Sequence, residues 1–250
     1  INAGIAALVA AVMLRERRGF PSTPMPPHNL AMTVAGASML WVGWFGFNAG
    51  SALAADQSAG MAMLVTHIGA AAGSLSWMFR EWMKQGKASV LGIVTGMVAG
   101  LGTITPASGF VGPMGALIIG ISAGLVCYEA TQYIKKVLLI DDSLDVFPVH
   151  GVGGILGTLL TGVFAASTYG GVGLENSISE QVTIQFIGVV FTIVWCGIFT
   201  YIALKVTNSL VGLRVSDESE ETGIDLTEHG EKAVSYTHLR AHETIQHLVC

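Results

Sequence analysis

Apolar residues run along this chain in long blocks instead of alternating with polar ones. They cover about residues 30–54, 60–80, 88–106, 110–134, 146–167 and 182–210, after a shorter apolar run at 1–14. Each long block approaches or exceeds the roughly 20 residues a helix needs to cross bilayer hydrocarbon. The short stretches between them carry Pro, Gly and charge, and read as loops. The predicted fold class is all-α, a polytopic transmembrane helical bundle. The opening run, INAGIAALVAAVML, has no Met and no basic stretch ahead of it, so it is not a signal peptide. It is also too short to span, and the chain is expected to be a fragment that begins partway through a helix.

Composition supports the same picture. Hydrophobic residues are 52% of the 250 and charged residues 12%, with a mean hydropathy of +0.62. Soluble domains carry roughly 25% charge, so an ordinary soluble domain is excluded and no nucleic-acid partner is expected. The 32 glycines suit spans that pack through small residues. Cys127, Cys196 and Cys250 show no paired spacing, which implies neither a disulfide framework nor a structural zinc. No metal and no cofactor is expected.

Charge then orients the spans. Arg15, Arg17, Arg18, Arg80, Lys84, Lys87, Lys135 and Lys136 fall in alternate loops. The intervening loops hold only Asp56, Glu175 and Glu180. This one-sidedness predicts a multi-pass protein of the cytoplasmic (inner) membrane, with basic loops and C-terminus in the cytoplasm. Close helix crossings are predicted at Gly92, Gly96 and Gly100, a doubled GxxxG, and at Gly46–Gly50, Gly120–Gly124 and Gly153–Gly157.

Candidate chemistry begins with DVFPVHGVGGILGTLLTGVFA, residues 145–165. An ionisable side chain in hydrocarbon is costly and normally faces a cavity that carries ions or protons. His150 therefore reads either as such a group or as a core histidine bonded to a neighbouring helix. In the 28–53 segment, Trp44, Phe45 and Phe47 cluster with Asn48 and Ser51. Phe47 and Ser51 are four apart and share a helical face. That face offers a π cloud and a hydroxyl to a cation; an ordinary aromatic packing contact fits the same spacing. His67 is expected to make a helix–helix hydrogen bond, Asp145 to cap its helix, and Glu129 to pair with a nearby base. His28 reads as interfacial. His238 and His242 share a helical face, but with no convincing further ligand a plain tail is the better reading.

Taken together, HNLAMTVAGASMLWVGWFGFNAGSAL, WMFREWMKQGKASVLGIVTGMVAGLGTITPASGFVGPMGALIIG, DDSLDVFPVHGVGGILGTLLTGVFA and GLRV…HGE resemble the ammonium transporter family (Amt/Mep/Rh), its bacterial Amt branch above all, from residue 1 to about 232. The resemblance implies a fold of eleven transmembrane helices, the first ten forming two inverted five-helix repeats, assembled as a homotrimer. Residues 1–14 then resemble the end of helix five, and the rest helices six to eleven, so that the second inverted repeat is present. It implies a division into a partial transporter domain at 1–213, a cytoplasmic tail at 214–232, and residues 233–250 without family likeness, read as possibly non-native.

By the same resemblance His150 matches one of the family's two pore histidines, whose other member would sit just before Ile1. Phe47 matches a pore-gate phenylalanine. Ser51 matches the serine of the ammonium-recruiting site, with Trp44 beside it. Leu40, Asn48, Asp145 and Val146 match positions lining or supporting the pore. The function implied is transport of ammonium or ammonia through a hydrophobic pore, with deprotonation and a histidine proton relay, and no enzyme activity. The alternative is an ammonium sensor that signals to a cytoplasmic PII-type protein. Membrane lipid, the substrate and a PII-type partner are the associations implied.

Overall fold

The computed structural model describes residues 1–231, and these are all-helical, with no strand among them. Helix α1 spans Asn2–Leu14, α2 Leu30–Gly50, α3 Gln57–Gln85, α4 Val90–Ile104 and α5 Pro113–Lys136. A π-helical turn, Phe147–Val152, runs into α6, Gly153–Phe164. Helix α7 spans Ile178–Leu210, and two short helices, α8 (Asp217–Thr222) and α9 (Ile224–His229), close the described chain. Among the described residues six helical segments are long and apolar enough to cross a membrane, the number predicted from the apolar blocks. The tail at 233–250 lies outside the described residues.

Polar residues set where the apolar blocks start and stop. Asn29, Asp56 and Ser89 each accept a hydrogen bond from the backbone N–H three residues on, capping α2, α3 and α4. Ser177 and Glu180 form a reciprocal capping box at α7. Gly86, at φ 76°, takes the left-handed conformation that ends α3. The caps explain why α3 and α7 outrun their apolar blocks: Gln57–Gln85 exceeds 60–80, and α7 begins at Ile178, not at 182.

Helix α3 is the centre of the bundle, packed between α4 and α5 through glycine. A Cβ on Gly100 would run into the Gly69 carbonyl, one on Gly96 into Trp77, and one on Gly124 into Ser76. The doubled GxxxG of α4 and the pair in α5 are therefore the contact stripes. Among the described residues nothing lies within 4 Å of a Cβ built on Gly46 or Gly50, so that pair makes no such crossing with them. Val65, Leu101, Ile104 and Ile119 are fully enclosed around the α3–α4–α5 contact. Helices α2 and α7 bury little, leaving apolar side chains such as Phe191 and Trp195 outward.

Candidate functional site

His150 stands on a span that opens with a π-helical turn instead of regular α-helix. Pro148 lies in its π-helical turn and offers no backbone N–H, and such turns inside helices are frequent at functional sites. The turn is capped by Asp142, whose Oδ2 accepts from Phe147 N at 2.6 Å. This corrects the expectation for Asp145. Asp145 sits at φ 56°, and its backbone carbonyl accepts from Val149 N at 3.0 Å. Its carboxylate pairs instead with Lys135, 2.8 Å away. Burial holds the Asp145 carboxyl above the ordinary range, against the pull of Lys135.

One cavity, of about 430 Å³, is lined by His150, Phe47, Trp44, Thr105, Gly102 and Ile1, among others. Trp44 Nε1 donates to Thr105 Oγ1 at 2.8 Å, and that hydroxyl donates in turn to the Leu101 carbonyl at 2.7 Å. The rings of Trp44 and Phe47 meet edge to face, 6.1 Å between centroids. The His150 imidazole, half-buried, forms no hydrogen bond with another described residue. Its Nδ1 passes Gly102 closely enough that a Cβ there would lie at 3.6 Å. Gly4 of α1 abuts the Gly151 backbone, which brings the start of α1 against the His150 turn.

A second cleft, of about 340 Å³, is lined by Phe47, Asn48, Ser51, Thr105 and Phe110 with neighbouring residues. Phe47 and Thr105 border both clefts. Ser51 follows the last residue of α2, and its hydroxyl donates to the Phe47 carbonyl at 2.7 Å. With the proton so used, the Ser51 oxygen is left to accept. Asn48 is buried and donates to Thr66 Oγ1 at 3.0 Å, tying α2 to α3. Leu40 is 54% exposed and Val146 is half-buried, and neither borders these two clefts.

Other sequence-derived expectations divide. Glu129 pairs with Arg80 as expected, Nε donating at 2.6 Å. His67 instead makes its interhelical contact through rings, with Trp41 at 5.1 Å and Phe45 at 6.1 Å, and not through a hydrogen bond. Sequence reading missed Glu81. Its carboxylate accepts from Ser89 N at 2.9 Å and from Ser89 Oγ at 3.0 Å, locking the residue that caps α4. A Glu eight positions ahead of a Ser carries no recognisable pattern. Among the described residues no group of three or more His, Cys, Asp or Glu is placed to hold a metal ion.

Residues 1–234 match the Ammonium Transporter Family. An "Ammonium transporter" of Aquifex aeolicus is 48% identical over 234 residues, covering 93% of this chain and 54% of that protein. "Ammonium transporter Amt1" of Archaeoglobus fulgidus is 44% identical, covering 95% and 60%. Among solved structures, one titled "Sensor Amt Protein" superimposes with TM-score 0.83 at 32% identity, covering 90% of this chain and 56% of that one. Saccharomyces cerevisiae Mep2 gives 0.78 at 35% identity, covering 87% and 51%. The chain thus spans about half the length of the curated relatives it matches. On these grounds, and with six membrane-spanning segments arranged as in the Amt and Mep structures, the chain belongs to the ammonium transporter family.

Proposed function

We propose that the full-length protein carries ammonium or ammonia across the cytoplasmic membrane, by deprotonating the cation and passing its proton to imidazole. The observation that carries this reading is the shared cavity of Trp44, Phe47 and His150. Moving a small cation into a low-dielectric interior costs of order 20 kcal/mol in the idealised Born limit. A cation–π contact returns about 2 kcal/mol when dry, so aromatic rings alone leave most of the barrier. Neutral ammonia does not face that barrier. The Ser51 oxygen, free to accept, and the Trp44 face recruit the cation. Phe47, at the border of both clefts, gates it. His150, which both accepts and donates, takes the proton, while Asp145 and Val146 support its turn and Leu40 and Asn48 support the conduit from α2.

Ile1 lines the His150 cavity, which supports placing the family's other pore histidine on the chain just ahead of it. Selectivity against metal cations follows from this chemistry, because they have no proton to shed. The sparsely buried α2 and α7 suit a homotrimer set in lipid, with the tail on the cytoplasmic side open to a PII-type protein. The test is uptake of ammonium and methylammonium by liposomes that hold the full-length protein. The reading predicts flux through the wild type and its loss in His150→Ala; equal flux in both would sink it.

A second reading is that the protein reports ammonium to a cytoplasmic partner, as the likeness to a structure titled "Sensor Amt Protein" suggests. Partner binding that depends on ammonium, without flux, would favour it.

A further inference from the structure

We infer that the cleft between the end of α6 and the start of α7 is a second capture site for ammonium, separate from the Ser51 cleft. That ammonium is the occupant rests on the transport reading; that the cleft takes a small monovalent cation does not. The cleft, of about 300 Å³, is lined by Glu175, Gln181, Gln185, Thr158, Thr161 and Phe110, among others. This is the lower end of the range for ligand sites and suits a small occupant.

Its hydroxyls are left to accept. Thr158 Oγ1 donates to the Gly154 carbonyl at 2.8 Å, and Thr161 Oγ1 to the Gly157 carbonyl at 2.7 Å. Each proton is used within α6, and each oxygen keeps lone pairs for another donor. Thr161 is only 5% exposed, so bulk water has little access to its oxygen. The Gln185 amide adds a further oxygen.

Charge points to a cation. Three acids stand in the loops opposite the basic ones, and two are spent on helix caps. Asp56 accepts from Ala59 N at 3.0 Å, and Glu180 accepts from Ser177 N and Oγ at 2.9 and 2.7 Å. Glu175 makes no hydrogen bond or ion pair with another described residue, and those loops hold no Lys or Arg to compete for it. A carboxylate, accepting hydroxyls and the exposed Phe110 ring together suit a cation that carries N–H donors. The position ties the cleft to the conduit. Phe110 borders both this cleft and that of Ser51, while Pro106 and Thr158 border both this cleft and the His150 cavity. A cation held at Glu175 waits beside both.

Anomalous diffraction from crystals of the full-length protein, soaked in rubidium as a cation of similar size to ammonium, tests the site without reference to transport. Wild type should show a rubidium peak beside Glu175 that added ammonium displaces. Ser51→Ala should keep the peak and Glu175→Gln should lose it. In liposomes at low ionic strength, Glu175→Gln should raise the ammonium concentration for half-maximal uptake roughly three-fold and leave the maximal rate unchanged. Salt at about 0.5 M should erase that difference. Absence of flux through the wild type would sink the transport reading and leave the rubidium result to decide the site. The cation site is overturned if wild type shows no peak there or if Glu175→Gln keeps it. Its role in capturing ammonium is overturned if ammonium fails to displace rubidium, or if the half-maximal concentration does not move.

Discussion

Trp44 Nε1 donates to Thr105 Oγ1 at 2.8 Å, fixing an aromatic face of α2 against the end of α4 at the wall of the His150 cavity. Trp44→Phe keeps a ring for the edge-to-face contact with Phe47 but removes the donor. Thr105 still gives its own proton to Leu101, so it loses one partner and is not orphaned. The expected cost is about 1 kcal/mol of stability. Methylammonium uptake per molecule should fall more than stability does, because the indole loses its fixed orientation. Uptake assays beside chemical denaturation of the full-length protein check both parts.

The Ser51 hydroxyl can be separated from its backbone bond. Ser51→Ala removes both the bond to Phe47 O and the accepting oxygen, whereas Ser51→Thr keeps both. If the oxygen recruits the cation, Ala should raise the ammonium concentration needed for half-maximal uptake and Thr should restore it. Equal behaviour of Ala and Thr would show that Ser51 only ends α2.

Glycine packing yields a ranking. A Cβ on Gly100 meets the Gly69 carbonyl, which belongs to the backbone of a buried helix. A Cβ on Gly69 meets the Ile104 side chain, at 2.8 Å from its Cβ. Ile104 Cβ is fixed to its own helix and Ile104 is fully enclosed, so it cannot swing aside, but it lies farther from the added Cβ than the Gly69 carbonyl does in the Gly100 case. Overpacking of this kind typically costs about 1–3 kcal/mol. Gly100→Ala should lie near the upper end and Gly69→Ala below it, as read from the denaturation midpoints of the two variants.

What was legible in the sequence follows from which physical signals are local. Span number and type came through because twenty apolar residues in a row have few other uses, and the stripe Gly92, Gly96, Gly100 marked its own contact face. His150 and the Trp44–Phe47 pair, about a hundred residues apart, were joined by family resemblance; no spacing rule connects them. Helix ends were less legible, since Asp56 and Ser177 extend α3 and α7 beyond their apolar blocks. Asp145 was misread for a clear reason. Its local pattern fits a cap, but its φ of 56° and the π-helical turn after it hand that role to Asp142. His67 and Glu81 depend on partners in three dimensions, Trp41 in one case and Ser89 in the other.

Acid should loosen the face of the bundle that bears the basic loops, through Asp141. Its side chain is almost wholly enclosed and accepts from Arg17 three times: from N and Nε to Oδ2 at 2.8 Å, and from Nη2 to Oδ1 at 2.7 Å. These bonds, the side-chain ones first, hold its carboxyl below the ordinary carboxylate range. A group with a depressed folded value contributes stability that is complete above its unfolded value, about 3.9. The contribution is lost as pH falls through the lower folded value. Wild type should therefore lose stability below about pH 4, while Asp141→Asn, already without the charge, should start lower and change less there. Half of the Arg17 side chain is in solvent, so the difference near pH 7 should be about 1–2 kcal/mol, well short of a fully buried pair. Other carboxylates, including Glu220 beside Arg18 and Arg214, titrate in both proteins, and subtracting the two denaturation curves removes their share. Curves that stay parallel from pH 7 to 3 would show that ionisation of Asp141 gains no stability from the contact with Arg17.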